Sequence, residues 1–391
     1  MHLLRRGTRP LPALLLALLA TAPAARAQQS THLTAADVAR AEASAHYILP
    51  PEPIAEMFAR DPNWATLDAP SPGGRYFLIP SATLLSTLEL MSRPTYRLAE
   101  LEIRPATDRL WHLDTFGING LRIYDLQSRR YRTVELPPHT FLSDLVWSPD
   151  GARVAFLAHL PEGTEAWTAE AATGRASRFS DARVLATLGT SAKVNISQSV
   201  DLRPPRMLQW TPEGTLLTLV VPADRGPEPR ADPLPAGPSV RLTRPKATST
   251  RTYHNLLHDE HDSDLFEYYT RAQLVELAPG RAPRPLGEPR MYESIALSAD
   301  GRNVLATYIE RPFSFITSYR GFPSRTVVMD RNGVTLATLE SRKLHEGGSW
   351  RGDGGTLHGL AWRPDGAGLS YIAPDSAGDD RVMLLAAPFD T

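Results

Sequence analysis

One tight turn recurs five times along this chain of 391 residues, and it constrains the fold more than any other feature. Each copy sets a glycine within a short polar segment, with apolar residues before it and alternating apolar residues after it. Proline presets φ in such turns and glycine tolerates the left-handed conformation, so each copy predicts two hairpin strands. The copies are Ala69–Leu78, Trp147–Phe156, Trp210–Leu217, Leu297–Leu305 and Trp362–Leu369.

Repetition of one hairpin indicates a repeat architecture, and we predict an all-β fold: a β-propeller, as a partial or complete ring. The gaps between the equivalent glycines are 77, 63, 87 and 65 residues. A propeller blade needs about 40–50 residues, so the gaps imply blades with long insertions or blades without the signature. The number of blades stays open. The glycines are Gly74, Gly151, Gly214, Gly301 and Gly366.

Between the copies, residues 121–134, 166–179 and 326–339 predict the outer strand pairs that complete a blade. Two stretches interrupt the pattern. Residues 222–245 contain seven prolines and predict an extended surface loop, and residues 253–269 predict a helical insertion. Short helices are predicted at 34–45 and 52–59. The predicted domains are a signal peptide (1–27), an N-terminal helical segment (28–64) and the propeller (65–391).

The first 27 residues have the pattern of a secretory signal peptide. Three arginines within residues 5–9 precede a short apolar run over residues 11–22, and Ala25-Arg26-Ala27 supplies small residues for cleavage. The run is shorter than the roughly 18 apolar residues that a membrane span needs, and no later stretch approaches that length. We expect cleavage near Ala27 and a periplasmic or secreted protein without a membrane span.

Composition excludes several classes of function. Lys plus Arg is 42 and Asp plus Glu is 43, so the chain lacks the basic excess of a nucleic-acid-binding protein. A hydrophobic fraction of 42% is ample for a packed core. There is no cysteine, which excludes disulfides, thiolate metal sites and a cysteine nucleophile. No glycine-rich phosphate loop occurs, and we predict no cofactor.

Three motifs carry a resemblance to a known family. They are Tyr-Ile-Leu-Pro-Pro at 47–51, the segment 251–269 that begins Arg-Thr-Tyr-His-Asn, and the segment 311–323 that begins Arg-Pro-Phe-Ser-Phe. From about residue 47 onward the chain resembles the propeller of secreted glutamyl endopeptidases in the prolyl oligopeptidase family of serine peptidases. The resemblance implies a propeller that limits peptide access to an α/β-hydrolase domain with a Ser-Asp-His triad. Because residues 380–385 still indicate a propeller strand, we expect that hydrolase domain to be absent from this chain.

A search for a serine nucleophile also indicates that the hydrolase domain is absent from this chain. The hydrolase elbow is Gly-x-Ser-x-Gly, because only glycine permits the strained turn that exposes the serine. Ser191, Ser239 and Ser349 each follow a glycine by two positions, but none has the second glycine. We interpret all three as ordinary loop serines. We therefore predict no catalytic residue and no activity for the chain alone.

A histidine group offers a metal-site alternative. His254, His258 and His261 would share one face if a single helix carried them, and carboxylates at 259, 260, 262 and 264 lie close by. Neutral imidazoles with a carboxylate can bind zinc. The competing interpretation is a solvated acidic insertion. We favour the second and predict no metal.

Two aromatic groups are also singled out. Blade core is the commoner role for a group such as Phe313, Phe315, Tyr319 and Phe322. The alternative is contact with a peptide in the propeller tunnel, and these four are the one ligand-contact prediction that the sequence provides. The tryptophans that precede three of the turns are predicted to be core: Trp147, Trp210 and Trp362.

Three functions compete on these observations. The favoured hypothesis is the non-catalytic propeller portion of a peptidase, whose partners are a peptide substrate or the missing hydrolase domain. The first alternative is a stand-alone periplasmic propeller that binds a peptide or protein. The second is a metal-dependent enzyme. An unclosed ring would leave a sheet face uncovered, so self-association is a further expectation.

Overall fold

A computed structural model describes residues 51, 54, 68–83, 86–115, 117–189, 194–195, 199–200, 207–232, 253–346, 357–374, 378–387 and 389. The chain divides into two compact units, Met1–Met57 and Phe58–Thr391, and every element named below belongs to the second. The predicted signal peptide, the helix predicted at 34–45 and the three candidate serines lie outside the described residues. None of the helices in the described ranges is long and apolar enough to span a membrane.

Almost all of the described elements are strands, as the all-β prediction requires. The exceptions of note are α1 (Leu88–Ser92) and α2 (Glu260–Thr270). In chain order the strands are β1 (Asp68–Pro70), β2 (Tyr76–Thr83), β3 (Tyr96–Leu98), β4 (Leu101–Arg104), β5 (Arg109–Leu110), β6 (Gly117–Asp125), β7 (Arg130–Thr133), β8 (Phe141–Trp147), β9 (Arg153–Leu160), β10 (Gly163–Glu170), β11 (Ala176–Arg178), β12 (Val194–Asn195), β13 (Ser199–Val200), β14 (Leu208–Trp210), β15 (Leu216–Val220), β16 (Gln273–Leu277), β17 (Arg284–Pro285), β18 (Met291–Leu297), β19 (Asn303–Ile309), β20 (Ser324–Asp330), β21 (Thr335–Arg342), β22 (His358–Trp362), β23 (Leu369–Pro374) and β24 (Asp380–Leu385).

The strands form successive antiparallel meanders, which we call blades. Blade 1 is β1-β2-β6-β7, blade 2 is β8-β9-β10-β11, blade 3 is β14-β15-β16-β17, blade 4 is β18-β19-β20-β21 and blade 5 is β22-β23-β24. Strand β6 of blade 1 and strand β8 of blade 2 also pair, at Ile118–Leu142. The outer strand pairs predicted from the sequence are confirmed as β6–β7, β10–β11 and β20–β21. The repeated sheets confirm the propeller-type fold, and among the described strands none of blade 5 pairs with a strand of blade 1.

Each predicted turn joins the first and second strands of a blade. The five turn glycines all have φ between 68° and 80°, the left-handed region that favours glycine. In the second turn, the Ser148 hydroxyl donates to Asp150 Oδ1 at 2.5 Å and accepts from the Arg153 N–H at 2.9 Å. Ser298 and Asp300 repeat both contacts in the fourth turn. The serine bond holds the pKa of each aspartate below its ordinary value.

The predicted core tryptophans link neighbouring blades. The indole N–H of Trp147 donates to Ala69 O at 2.8 Å, that of Trp210 to Val146 O at 3.1 Å, and that of Trp362 to Ala296 O at 2.8 Å. In every case the acceptor lies five residues before the turn glycine of the preceding blade. Trp210 is buried, whereas Trp147 and Trp362 are half-buried. The core prediction thus holds for Trp210, and all three residues serve the same inter-blade hydrogen bond.

Blade 4 has leucine where blades 2, 3 and 5 have tryptophan, and a different side chain makes the link. The Gln209 amide of blade 3 donates to Ile295 O at 2.8 Å and accepts from the Leu297 N–H at 2.8 Å. The Gln209 amide therefore satisfies two backbone groups of β18, the first strand of blade 4. Neighbouring blades are thus hydrogen-bonded here as well, but the preceding blade supplies the donor side chain and the following blade supplies the acceptor carbonyl.

The turns also pack on one another. A Cβ added to Gly301 would lie 2.5 Å from Pro212 Cδ in the turn of blade 3. A Cβ added to Gly151 would lie 2.9 Å from Pro72 O of blade 1. Glycine at these positions therefore serves both the turn conformation and the close approach of two blades.

We expect Gly301→Ala to lower the thermal midpoint of unfolding more than Gly366→Ala does. Both glycines are left-handed, with φ of 70° and 74°, but Gly366 has nothing within 4 Å of an added Cβ. The left-handed conformation costs about 1–2 kcal/mol in either variant, and overpacking against Pro212 adds roughly 1–3 kcal/mol in the first. Differential scanning calorimetry measures both. Equal shifts would show that the inter-blade contact contributes nothing.

Three long insertions leave the blades at one position in the repeat. They join the second and third strands of blades 1, 3 and 4, and in an antiparallel meander that connection lies at the opposite end from the glycine turn. We call their described residues (86–115, 221–232 with 253–272, and 310–323) the cap. The cap shares a hydrophobic core in which the buried members include Leu98, Ile103, Leu113, Leu257, Phe266, Tyr269 and Phe322.

Candidate functional site in the cap

The four predicted peptide-contact aromatics lie together in the cap. Phe322 is 1% exposed, and Phe313, Phe315 and Tyr319 are partly buried against the same core. The Phe313 and Phe322 ring centroids are 5.0 Å apart, and Phe266 of α2 meets both rings edge-on at 5.0 and 5.5 Å. The structure thus joins the group to α2, a partner that the sequence did not reveal. Contact with a peptide stays a prediction.

A buried ion network attaches the cap to blade 2. Asp114 bridges two guanidinium groups, with Arg104 at 2.8 Å and Arg109 at 2.9 Å, and all three side chains are at most 3% exposed. Burial lowers the pKa of Arg109, and Asp114 opposes that shift. Arg109 also donates to the carbonyls of Leu160 and Gly163 at 2.6 and 3.2 Å. A buried charge that loses its partner is costly, so this network fixes the cap on the sheets.

Residues 222–232 are the described part of the proline-rich loop, and we call them the strap. The strap begins with a turn, in which the Arg225 N–H donates to Pro222 O at 3.1 Å. Arg225 makes a bidentate ion pair with buried Asp108 at 2.8 and 3.0 Å, and its guanidinium lies 4.7 Å above the Tyr268 ring. The Tyr268 hydroxyl donates to Gly226 O at 3.2 Å. Burial lowers the pKa of Arg225, but the bonds to Asp108 outweigh it and the net shift is upward. The strap is therefore anchored by charge at Arg225, near its beginning.

A second anchor lies three residues further along the strap. The Glu228 carboxylate accepts hydrogen bonds from the hydroxyls of Tyr96 and Tyr269, the first at 2.7 Å. The hydrogen bond raises the pKa of Tyr96, and burial together with the same carboxylate raises the pKa of Tyr269. Both phenols therefore stay protonated donors. One carboxylate thus joins the strap to the insertions of blades 1 and 3.

The strap and α2 form the walls of a polar cleft of about 290 Å³. Arg311 crosses its rim: the guanidinium donates to Glu267 at 2.6 Å and to Asp264 at 2.8 Å, and lies 4.8 Å from the Phe313 ring. Burial lowers the pKa of Arg311, and the two carboxylates raise it more. Such a cleft can bind a polar ligand through charge and stacking. The lining includes Asp224, Arg225, Asp264, Tyr268, Arg271 and Arg311.

The histidine prediction is corrected by the position of α2. The helical insertion is confirmed, but α2 begins at Glu260, with Asp259 as its N-cap, so the predicted start was seven residues early. His254 and His258 precede the helix and cannot share a helical face with His261. The reason is the N-cap residue of the helix: the Asp259 carboxylate accepts from the Asp262 N–H at 2.9 Å, and the helix starts there. His258 Nδ1 instead contacts Asp262 at 2.7 Å.

A serine–histidine contact that the sequence did not reveal lies in blade 2. Ser143 Oγ is 2.9 Å from His159 Nε2 and donates to Asp144 Oδ2 at 2.7 Å, while His159 Nδ1 is 3.0 Å from Thr164 Oγ1. Because the serine proton goes to the carboxylate, Nε2 must donate to the serine and Nδ1 must accept from Thr164. A catalytic base would accept from the serine. All four side chains are buried, and the contact is a structural hydrogen-bond chain.

We expect this chain to make stability depend on pH between about 7 and 5. Burial, assisted by the charges of Arg109 and His112, holds the pKa of His159 well below its ordinary value. The unfolded state then binds a proton near pH 6.5 that the folded state does not, so stability falls as pH falls, by up to about 1.4 kcal/mol per pH unit. Urea unfolding at several pH values measures the slope.

The variant His159→Gln should flatten that slope, since glutamine does not titrate. The matched control is His261→Gln, a partly exposed position on α2 that should keep the wild-type slope. If His159→Gln and wild type lose stability in parallel, then the buried histidine is not the group that titrates.

Comparison with known proteins gives sequence relatives but no family model, since none matches the chain. A protein of Oryza sativa subsp. japonica named "Probable glutamyl endopeptidase, chloroplastic" is 25% identical over 356 residues, which cover 86% of this chain and 36% of that protein. The Arabidopsis thaliana protein of the same name is 26% identical over 352 residues, with coverages of 86% and 35%. The chain spans about a third of the length of these relatives.

Among solved structures, the acylaminoacyl peptidase of Pyrococcus horikoshii matches with a TM-score of 0.40 at 12% identity, over 82% of this chain and 38% of that chain. A dipeptidyl aminopeptidase IV from Bacteroides ovatus, described as putative in its own name, matches with a TM-score of 0.39 at 10% identity, with the same coverages. The sequence relatives and the repeated blades together support a propeller region of a peptidase-like protein.

Proposed function

We propose that this chain is the non-catalytic propeller portion of a prolyl-oligopeptidase-like serine peptidase of the glutamyl endopeptidase type. The observation that carries the proposal is the similarity to two proteins of that name across 86% of the chain, together with a fold of repeated antiparallel blades. The Ser143–His159 contact agrees with it, because its hydrogen bonds run opposite to those of a nucleophile and its base. Peptide hydrolysis then belongs to a hydrolase domain outside these sheets.

The part we assign to this chain is to restrict peptide access, and we assign that role to the cap. Its insertions leave one end of three blades and share one core, so they can act as a unit on whatever approaches that end. The cleft beside the strap offers a peptide charged groups, and Tyr268 offers it an aromatic face. Phe315 and Tyr319, which are partly buried against the core of the cap, are the proposed peptide contacts. We also propose that the protein is exported to the periplasm or secreted.

The purified chain should hydrolyse no peptide, because none of the sheets in the described ranges holds an activated serine. We expect a fluorophosphonate probe, which labels activated serines whatever the substrate, to leave the chain unlabelled, and mass spectrometry to find glutamate-containing peptides intact after long incubation. Labelling that disappears in Ser143→Ala would contradict our interpretation of the blade 2 contact. Labelling that survives in Ser143→Ala would place a nucleophile elsewhere in the chain and overturn the proposal.

If the strap controls access to the cleft, loosening the second anchor of the strap should make the strap accessible to a protease. In Glu228→Ala the two tyrosine hydroxyls lose their shared acceptor, and hydrogen bonds to a charged group are worth about 1.5–3 kcal/mol. We therefore expect trypsin to cleave after Arg230 at least roughly tenfold faster than in wild type. Timed digestion followed by intact-mass analysis measures this rate.

Glu228→Gln should give an intermediate rate, since the amide oxygen still accepts a hydrogen bond. The control Glu162→Ala removes the same charge from an exposed turn of blade 2 and should leave cleavage unchanged. Labelled glutamate-containing peptides should bind Glu228→Ala and wild type with different association rates, as measured by fluorescence anisotropy. Equal peptide association rates together with faster trypsin cleavage would show that the strap is loosened in Glu228→Ala, but they would refute its role as a gate.

A further inference from the structure

The two oxygens of the Glu228 carboxylate are bound by two different tyrosines. The Tyr96 hydroxyl donates to Oε1 at 2.7 Å, and the Tyr269 hydroxyl donates to Oε2. Two donors that reach the two oxygens separately match a carboxylate, which accepts on both atoms. An amide presents one accepting oxygen and one donating NH₂ group, so this pair of donors can distinguish a glutamate side chain from a glutamine.

The core of the cap holds both tyrosines in position. Tyr269 of α2 is 2% exposed, and the Thr187 hydroxyl donates to its backbone carbonyl at 2.7 Å. The ring centroids of Tyr96 and Tyr269 lie 5.6 Å apart, and Tyr96 packs against the same core. A carboxylate of another molecule would therefore meet two donors that need little ordering.

The strap is attached at this point through one side chain. Among the described residues, the backbone hydrogen bonds of turns and loops include none from residues 227–231. Pro227 and Pro229 flank Glu228 and have no N–H to donate. Glu228 thus occupies its site as the glutamate side chain of a bound peptide would, and another glutamate can replace it by making the same two hydrogen bonds.

We propose that Tyr96 and Tyr269 form a subsite for the side-chain carboxylate of a peptide glutamate, and that Glu228 occupies it as an intramolecular ligand until a peptide displaces it. Gly226 and Pro229, on either side of Glu228, both line the polar cleft, so a peptide in the cleft lies beside the subsite. The inference rests on the proposed function for the peptide nature of the ligand, and on the two hydrogen bonds for its carboxylate.

Equilibrium binding to Glu228→Ala tests the subsite. The probes are the peptide Ala-Glu-Ala, blocked at both ends and labelled with an uncharged fluorophore, and its Ala-Gln-Ala counterpart. The variant lacks the intramolecular competitor, so we expect it to bind the glutamate peptide at least roughly tenfold more tightly than wild type does. It should also prefer the glutamate peptide to the glutamine peptide by at least roughly tenfold. Fluorescence anisotropy measures all four affinities.

Tyrosine-to-phenylalanine changes supply the matched controls, because phenylalanine keeps the ring in the core of the cap and removes only the hydroxyl. In E228A/Y96F the preference for glutamate over glutamine should fall, and in E228A/Y96F/Y269F it should disappear. Glu162→Ala should bind both peptides as wild type does. Equal affinity of Glu228→Ala for the two peptides would overturn the proposal, and so would a preference that survives the loss of both hydroxyls.

A measurement on the wild-type chain needs no variant. The unlabelled glutamate peptide should displace Glu228 and so speed trypsin cleavage after Arg230, whereas the glutamine peptide should leave the rate unchanged. Neither peptide contains a trypsin site. Equal cleavage rates with the two peptides would refute the displacement. Serine labelling of the chain would overturn the proposed function and leave these affinities as they are, whereas a missing preference for glutamate would overturn the subsite alone.

Discussion

The packing of one sheet on the next is the constraint on which the rest of this structure depends. A blade of three or four short strands cannot bury its apolar side chains alone, so each must cover a neighbour. Blade 2 shows this clearly: Val154 and Phe156 face the core shared with blade 1, whereas Ala155 and Leu157 face the core shared with blade 3. Alternation along a single strand thus serves two cores at once, and β9 is buried over most of its length.

Hydrogen bonds set the relative position of the blades after apolar packing has brought them together. An indole N–H reaches the same backbone carbonyl of the preceding blade in three of the interfaces, and the Gln209 amide makes the link in a fourth. Apolar contacts alone would tolerate sliding by a residue. A side-chain donor that must reach one particular carbonyl does not tolerate such sliding, because a buried amide or indole without a partner costs free energy. The turns, where glycine meets proline, fix the spacing at that end.

The glycine turns do not set the spacing at the opposite end of the blades, and the long insertions occur there. The cap is held by charge as well as by its core: the Arg104–Asp114–Arg109 network below, and the Arg225–Asp108 and Glu228–tyrosine contacts above. The lower network is fully buried and costly to break, whereas the upper contacts involve a strap of eleven residues at the surface. That difference is the physical basis for assigning movement to the strap and rigidity to the floor beneath it.

The sequence by itself determined the repeat. The five turns, the outer strand pairs and the helical insertion were all predicted from local patterns, because glycine, proline and strand alternation act over a few residues. Local pattern could not show that Asp259 starts α2, which separates the three histidines, or that α1 and β3–β5 exist within the first insertion. Tertiary structure decided the partners: Asp108 with Arg225, Phe266 with Phe313, and Ser143 with His159. Contacts between residues so far apart in the chain depend on how sheets stack, and no sequence period of two or of 3.6 records that.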